Sequence, residues 1–394
     1  MLMDIALVLL SGLLVGQLCR LLRLPGLVGM LGAGILLGPS VLNLLSPAIL
    51  QISGEIRLLA LLVILIRAGL KLDFTDLKKV GRPALLMCFL PATCEIVGIW
   101  LLAPPLLGFA SAEALVLGAV LAAVSPAVVV PRMVRLMDQG YGVKKGIPQM
   151  ILAGSSADDV YVLVLFTGFL DMAKGGRFSW SALGAIPLSL GLGVLAGFLV
   201  GLALAYFFKT AASHKLPTLD QALLLLSIGC LLYSLEQASW MPPFASLIAV
   251  ITMGMVLAGR SLEQADRLAG CFDRLWMPAE MFLFVLVGAS VAIKDIQHVG
   301  FPALVLLVGG LLFRLVGVRL ALLQTALNRR EILFAMLAYL PKATVQAAIG
   351  GLPLAMGLAA GHSILAVSVI AILLTAPLGA FLTDRLAPLL LSKE

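Results

Sequence analysis

The sequence predicts an all-α polytopic membrane protein with about 13 transmembrane helices. Of its 394 residues, 61% are hydrophobic and only 12% are charged, and the mean hydropathy is +1.12. Apolar runs of about 20 residues, the length that a helix needs to cross a bilayer, recur along the whole chain. The spans must be helical, because lipid offers the backbone no hydrogen-bond partner and the runs lack the alternation of barrel strands.

The predicted spans form a single transmembrane domain over residues 1–394. In chain order they lie at 2–22, 26–44, 52–70, 83–107, 112–134, 147–170, 181–208, 219–236, 242–259, 277–293, 299–325, 331–356 and 362–390. The first span contains Asp4, has no basic start and no clear cleavage site. We therefore interpret it as a retained helix rather than a signal peptide.

The basic residues indicate orientation rather than an acidic partner. Nineteen of the 27 Lys and Arg residues fall in alternate loops, those that follow the odd-numbered spans, and four fall in the loops between them. Because cytoplasmic loops carry the excess of Lys and Arg, this split predicts an external N-terminus and a cytoplasmic C-terminus. It argues against nucleic-acid binding. The five cysteines show no metal or disulfide spacing, and no nucleotide-binding motif favours a pump.

An internal repeat predicts the arrangement of the spans. The segments LIRAGLKLDFTDLKKVGRPAL (65–85) and FVLVGASVAIKDIQHVGFPAL (284–304) align without gaps at an offset of 219 residues. This offset covers seven predicted spans, an odd number, so the second copy enters the membrane from the opposite side. We expect two six-helix inverted-topology repeats, residues 1–170 and 219–390, joined by a linker helix at 181–208.

Five charged residues stand near the middle of predicted spans, where each costs about 2.5–3.5 kcal/mol on insertion scales. They are Glu95, Asp158, Asp159, Arg314 and Lys342. Glu95 and Arg314 are separated by the repeat offset, so they occupy equivalent positions and can meet on the axis between the repeats. We predict an ion pair between them, whose role is either to hold the repeats together or to serve the site. Arginine keeps its charge and cannot carry a proton.

The two adjacent aspartates predict a site that holds either a cation or a proton. Neighbours on a helix point about 100° apart, so both carboxylates can line one cavity. In a low dielectric they cannot comfortably both be ionised. Protonation or a bound alkali cation relieves this repulsion, and the two states exclude each other. Candidate neutral oxygen ligands for the cation are Ser125, Ser155, Ser156 and Thr344.

Prolines interrupt two predicted spans at corresponding places in the repeats. Span 5 carries Pro126 and Pro131, and span 12 carries Pro341. Because proline frees carbonyl groups that need new partners, we predict that helices 5 and 12 are discontinuous and cross to frame a binding site, with simple kinking as the alternative. The freed carbonyls could bind the cation, and Lys342 would balance the partial negative charge of helix ends at the break.

The sequence resembles the monovalent cation:proton antiporter superfamily, and within it the branch of NHA-type sodium/proton exchangers. The stretches that carry the resemblance occur in the family's order: LIRAGLKLD (65–73), AVSPAVVVP (123–131), GYGVKKGIP (140–148), SADDV (156–160), LVGASV (286–291) and LPKATVQAAIG (340–350). The resemblance implies an NhaA-type fold, a homodimer in the bilayer, and an elevator-like movement of a core against a dimerisation domain. It places the core helices within 83–170 and 299–390.

The resemblance also implies that Asp159, together with Asp158, binds Na⁺ or Li⁺ in exchange for protons. Many bacterial relatives with paired aspartates carry lysine where this chain has Arg314. Since arginine cannot release its proton, any count above one proton per cation would require both aspartates. We therefore expect Asp159 to be indispensable and Asp158 to set stoichiometry or affinity.

These observations predict a Na⁺(Li⁺)/H⁺ antiporter of the cell membrane, with no enzymatic activity and no cofactor. A K⁺/H⁺ antiporter is an alternative, because carboxylate chemistry alone does not set ion size. A sodium-coupled solute symporter of the same fold is a weaker alternative. An intramembrane aspartyl protease needs two carboxylates facing one water, usually from separate helices, whereas both aspartates here share one helix. A channel is a further alternative, distinguished from an antiporter because it would conduct ions without any proton gradient.

Overall fold

The computed structural model describes residues 1–22, 24–71, 81–175, 180–209, 216–236, 238 and 244–393. Regular secondary structure in these ranges is helical, apart from one isolated bridge between Tyr141 and Lys393. The all-α class predicted from the sequence is therefore confirmed.

The described residues form eighteen helices. In the first half of the chain they are α1 (Leu2–Leu21), α2 (Gly26–Leu37), α3 (Pro47–Gln51), α4 (Ser53–Lys71), α5 (Arg82–Met87), α6 (Leu90–Leu107), α7 (Ser111–Ala122), α8 (Pro126–Asp138) and α9 (Ile147–Lys174). In the second half they are α10 (Trp180–Lys209), α11 (Thr218–Glu236), α12 (Ser246–Arg260), α13 (Leu262–Ser290), α14 (Ile293–Ala321), α15 (Arg329–Ala338), α16 (Thr344–Ile349), α17 (Leu352–Ala355) and α18 (Gly361–Leu390).

Eight helical segments of the described chain are long and apolar enough to cross a membrane. They are Leu2–Leu21, Arg82–Leu107, Ser111–Asp138, Ile147–Lys174, Leu188–Lys209, Thr218–Glu236, Val299–Ala321 and Gly361–Leu390. Three shorter apolar helices coincide with further predicted spans: Gly26–Leu37, Ser246–Arg260 and Thr344–Ala355. The chain is therefore a multi-pass membrane protein, whereas the number thirteen stays a prediction.

The chain forms two compact units. The first contains α1 to α3, α5 to α9, α13 from Met281 onward, and α14 to α18. The second contains α4 from Glu55 onward, α10 to α12, and α13 up to Glu280. Both predicted core ranges, 83–170 and 299–390, lie in the first unit, and the helix predicted as a linker lies in the second.

In the second unit, α4 is fixed to its neighbours by close packing and by charge. A Cβ built on Gly254 of α12 would lie 3.0 Å from the Gly69 Cα of α4, so the two backbones meet where neither residue carries a side chain. Near the same end of α4, Arg67 Nε and Lys71 Nζ lie 2.6 and 2.7 Å from the Asp273 carboxylate of α13.

In the first unit, the carboxylate of the first helix has a tertiary role. Asp4 Oδ1 and Oδ2 accept hydrogen bonds of 2.8 Å from the backbone N–H and the hydroxyl of Ser46, the residue that precedes α3. Asp4 is 3% exposed. These contacts tie the start of α1 to the segment that precedes α3.

Helices α6 and α14 approach each other through reciprocal contacts. A Cβ on Gly98 would lie 2.5 Å from Phe313 Cγ, and a Cβ on Gly317 would lie 3.1 Å from Cys94 Cβ. Gly98 and Gly317 are separated by the repeat offset, and so are Cys94 and Phe313. Such an exchange of contacts is what a pseudo-two-fold axis between the two helices would produce. It places equivalent positions of the two helices next to each other.

The repeat offset also relates two backbone irregularities at the start of these helices. Gly81, which precedes α5, has φ +77°. Its counterpart Gly300 is a non-helical residue that kinks α14. Pro83 and Pro302 follow two residues later in each copy. Glycine permits such conformations without steric cost, so both copies bend where the span begins.

Two helices are interrupted near their middle. The first break separates α7, which ends at Ala122, from α8, which begins at Pro126. The second separates α15, which ends at Ala338, from α16 and contains Pro341. Pro126 occupies the first helical position, where its missing N–H is not needed. Pro131, also expected to interrupt the span, lies inside α8, where the helix tolerates the loss of one hydrogen bond.

The outer ends of the two broken helices are tied by the same device. Glu113, in the first turn of α7, accepts a hydrogen bond from the N–H of Ala360, the residue before α18, at 3.1 Å. Glu331, in the first turn of α15, accepts from the N–H of Asn328 at 2.7 Å and from Lys145 Nζ, just before α9, at 2.9 Å. Each glutamate therefore joins its own helix to the start of a long helix in the other half of the chain.

We predict that Glu331→Gln lowers the free energy of unfolding by about 1–2 kcal/mol, because the cap at Asn328 is kept while the charged bond to Lys145 is lost. Thermal unfolding of the purified protein in detergent measures this. Glu263→Gln is the matched control, since Glu263 is 84% exposed in its pair with Arg267 and should contribute little. Equal melting temperatures for wild type and Glu331→Gln would contradict the prediction.

Candidate functional site

The two helix breaks touch each other inside the first unit. The backbone N–H of Ser125 donates to the carbonyl of Pro341 at 2.9 Å. This contact joins the extended segment between α7 and α8 to the segment between α15 and α16. The interrupted backbones of the two broken helices therefore meet at one place.

Side chains from the two long helices accept hydrogen bonds from N–H groups at the breaks. The N–H of Val124 donates to Asp158 Oδ2 of α9 at 2.9 Å. The N–H of Lys342 donates to Thr375 Oγ1 of α18 at 2.9 Å. Because a buried donor without a partner costs free energy, these side chains stabilise the non-helical segments.

Carbonyl groups at the breaks, expected from the sequence as cation ligands, accept hydrogen bonds from protein donors. Arg314 Nη1 donates to the carbonyl of Ala122, and Arg314 Nε donates to that of Tyr339 at 2.7 Å. Gln346 Nε2 donates to the carbonyl of Ala123 at 2.8 Å. These three carbonyls therefore already have donors within the protein.

Arg314 connects the largest number of these groups. Its Nη1 lies 2.8 Å from Glu95 Oε2 of α6, and its Nη2 lies 3.0 Å from Asp158 Oδ2 of α9. The guanidinium carbon lies 5.4 Å from the centroid of the Tyr339 ring. Arg314 and both carboxylates are fully buried. The planar fork of arginine can serve several acceptors in fixed directions, which a lysine ammonium cannot do.

Glu95 is shared by two basic residues. Its Oε2 accepts from Arg314 and also from Lys342 Nζ, at 2.6 Å. Lys342 was expected to balance helix ends at the break, but its ammonium points to Glu95 instead. All three side chains are fully buried, so Glu95 compensates one of the two positive charges, and Asp158, which also binds Arg314, compensates the other.

The two aspartates have different surroundings. Asp158 is fully buried and its Oδ2 is bound by Arg314 and by the N–H of Val124. Asp159 is only partly buried, and no basic side chain pairs with it in the described part of the chain. Adjacent carboxylates thus differ in access and in charge compensation.

Several buried oxygens have no hydrogen-bond partner among the described residues. In and around the site they are Glu95 Oε1, Ser125 Oγ, Asp158 Oδ1, Asp159 Oδ1 and Thr344 Oγ1. Of the other predicted neutral ligands, Ser155 donates to the carbonyl of Leu152 at 3.2 Å, and the Ser156 side chain lies outside the described residues. Ser125 and Thr344 are separated by the repeat offset, so the two breaks present equivalent hydroxyls.

An apolar cluster adjoins the two helix breaks and makes their surroundings less polar. It contains Tyr339, whose hydroxyl donates to the carbonyl of Met87 at 3.4 Å, and Val124, whose N–H binds Asp158. A side chain on Gly154 would collide with the Tyr339 hydroxyl, which shows how closely α9 packs here. Electrostatic interactions within the site are correspondingly strong.

Gln346 and Thr375 contact the two breaks but are not among the residues predicted from the sequence. Gln346 carries a detectable signal, because it is an amide close to Lys342 and Thr344 within a mostly apolar broken span. Thr375 carries none, since its hydroxyl also donates to the carbonyl of Ala371, as threonines in apolar helices commonly do.

Most of the chain is similar to known proteins. A family model described as "Sodium/hydrogen exchanger, transmembrane" matches residues 5–387. Sodium/hydrogen exchanger 9B2 of Homo sapiens is 33% identical over 381 residues, covering 94% of this chain and 70% of that protein. Sodium/hydrogen exchanger 9B1 of Homo sapiens is 30% identical over 402 residues, covering 98% and 77%.

The fold is similar to a solved structure. The sodium proton antiporter MjNhaP1 from Methanocaldococcus jannaschii at pH 8 matches with a TM-score of 0.82 and 22% identity, over 98% of this chain and 97% of that chain. The resemblance to cation:proton antiporters is therefore confirmed, and the chain belongs to the sodium/hydrogen exchanger family.

Proposed function

We propose that the protein exchanges Na⁺ or Li⁺ for H⁺ across the cell membrane by alternating access, with Asp159 holding the cation or the proton in turn. One observation carries this proposal. Of the three carboxylates in the site, Asp159 is the one without a basic partner among the described residues, and it is also the least buried.

The charges of the site support a one-for-one exchange. Glu95 and Asp158 are balanced by Arg314 and Lys342, so an ionised Asp159 leaves the buried cluster with a net charge of −1. A net buried charge is costly, and either one proton or one monovalent cation removes it. Because Arg314 compensates Asp158, release of a second proton from Asp158 is not needed.

Asp158 and the hydroxyls of the breaks support cation binding beside Asp159. Alkali ions prefer hard oxygen ligands, as Ca²⁺ and Mg²⁺ do. Asp158 Oδ1, Ser125 Oγ and Thr344 Oγ1 are buried without a partner in the described structure, so they are available to a cation. In this proposal Asp158 tunes affinity, while Ser155 and Ser156 are secondary candidates.

The membrane arrangement is part of the proposal. The helix breaks, the reciprocal α6–α14 contacts and the paired hydroxyls support an NhaA-type core built from inverted repeats. The split of Lys and Arg among the loops supports an external N-terminus and a cytoplasmic C-terminus. We further propose that the protein is a homodimer and that the core, within 83–170 and 299–390, moves like an elevator. No cofactor is needed for such exchange.

We predict that Asp159→Asn reduces exchange by at least about a hundredfold, because the group that alternates between proton and cation is lost. Asp158→Asn should keep measurable exchange with a KM for Na⁺ raised about tenfold, because the cluster is then neutral without a cation. Proteoliposomes with an internal pH dye, tested with Na⁺, Li⁺ and K⁺, measure both and identify the transported ion.

Asp171→Asn is the matched control, since Asp171 lies on the same helix with a side chain 56% exposed. It should exchange like wild type. Normal exchange by Asp159→Asn would contradict the proposal.

We predict that Glu95→Gln raises the KM for Na⁺ about tenfold, because the cluster loses a negative charge and no longer requires a cation. The double variant Glu95→Gln/Lys342→Gln restores the net charge of −1, so its KM should return to within about threefold of wild type. Ion-flux assays on the two variants and wild type measure this. A double variant no better than Glu95→Gln would contradict the charge balance.

A further inference from the structure

Gln346 is a buried polar residue for which the proposed exchange has no direct use. It is the third residue of α16 and is fully buried. Its Nε2 donates to the carbonyls of Ala123 at 2.8 Å and Leu121 at 3.4 Å, and its Oε1 accepts from the N–H of Ala343 at 2.8 Å. The reversed amide would face carbonyl oxygens with its own oxygen, so the partners set its orientation. Gln346 therefore joins the end of α7 to the start of α16.

The contact with Ala123 reaches the exchange site through one rigid group. The carbonyl of Ala123 and the N–H of Val124 belong to the same planar peptide unit. Gln346 binds the carbonyl of this unit, and Asp158 Oδ2 binds its N–H. A rotation of the plane would therefore change both contacts together.

The other hydrogen bonds at this break hold the adjacent peptide units and not the Ala123–Val124 unit. On its N-terminal side the carbonyl of Ala122 binds Arg314, and on its C-terminal side the N–H of Ser125 binds Pro341. Those bonds fix the flanking peptide units. Gln346 is thus the donor that fixes the direction of the unit bonded to Asp158.

We propose, on the basis of the exchange function above, that Gln346 is a positioning residue for Asp158. It directs the Val124 N–H, which holds Asp158 Oδ2 and so places Asp158 Oδ1 beside a cation on Asp159. Loss of the Gln346 bonds changes the affinity for the cation and the pH dependence of exchange. The maximal rate changes less, because the groups that alternate between proton and cation remain.

The first test compares Gln346→Leu with Ser368→Ala. Leucine has a similar volume and no hydrogen-bonding group, so the KM for Na⁺ should rise about tenfold while the maximal rate stays within about threefold. Ser368 is equally buried, but it bonds only to Ile364 of its own helix among the described residues. Ser368→Ala should leave the KM unchanged. An unchanged KM in Gln346→Leu, with only stability reduced, would overturn the proposal.

A second variant keeps the proposal testable where Gln346→Leu fails to fold. In Gln346→Glu, the protonated carboxyl can still donate to the carbonyl of Ala123, whereas the ionised carboxylate faces it without a donor. Relative to wild type at each pH, Gln346→Glu should have a near-normal KM at acid pH and a KM that departs from wild type at alkaline pH, where the donor is lost and the site gains a negative charge. A ratio that does not change with pH would contradict the positioning role.

A binding measurement separates this inference from the function it rests on. The NaCl concentration that gives half-maximal thermal stabilisation of the purified protein reports cation binding without transport. Gln346→Leu should raise that concentration about tenfold. If wild type shows this stabilisation but no exchange, the proposed function fails, and the midpoints of wild type and Gln346→Leu still test the positioning role. If Gln346→Leu and wild type have equal midpoints, the inference fails while exchange can stand.

Discussion

A charge buried within a membrane protein must be matched by a charge of the opposite sign, and this constraint organises the site. A buried carboxylate or ammonium has lost its hydration. Leaving it unpaired costs more free energy than most defects in packing. Arg314 meets the constraint for two carboxylates on different helices, Glu95 and Asp158. Lys342 adds a second positive charge at Glu95. The one negative charge without a basic partner among the described residues is then that of Asp159.

The same groups also satisfy the interrupted backbone. Arg314 donates to carbonyls at both breaks, and Asp158 accepts an N–H at one of them. Charge balance and backbone geometry are therefore coupled, because a change in the ionisation of the site alters the bonds that hold the non-helical segments. Such coupling is a physical route by which cation or proton binding can bias a conformational change.

Much of this arrangement follows from regularities along the chain. The apolar runs predict the helices, because spanning length and backbone satisfaction depend only on local sequence. The constant repeat offset relates Glu95 to Arg314, and the structure places their side chains 2.8 Å apart. Pro126 and Pro341 mark the breaks because proline acts on the backbone of its own helix.

Other features depend on contacts between distant elements and are not readable from the chain. The direction of the Lys342 ammonium toward Glu95 depends on the path of the backbone through the break. The partners of Gln346 and the role of Thr375 depend on how α7, α16 and α18 meet. Pro131 shows the opposite difficulty, because packing keeps α8 helical through a residue that sequence rules associate with interruption.

We propose that the buried cluster carries one uncompensated negative charge, which one proton or one cation neutralises. Counting the protons released when Na⁺ binds to the purified protein tests it most directly, by calorimetry in buffers of different ionisation enthalpy. At a pH where the site is protonated, the account predicts a count that approaches one proton per cation and does not exceed it. A count near two, or no proton release at any pH at which Na⁺ binds, would contradict it.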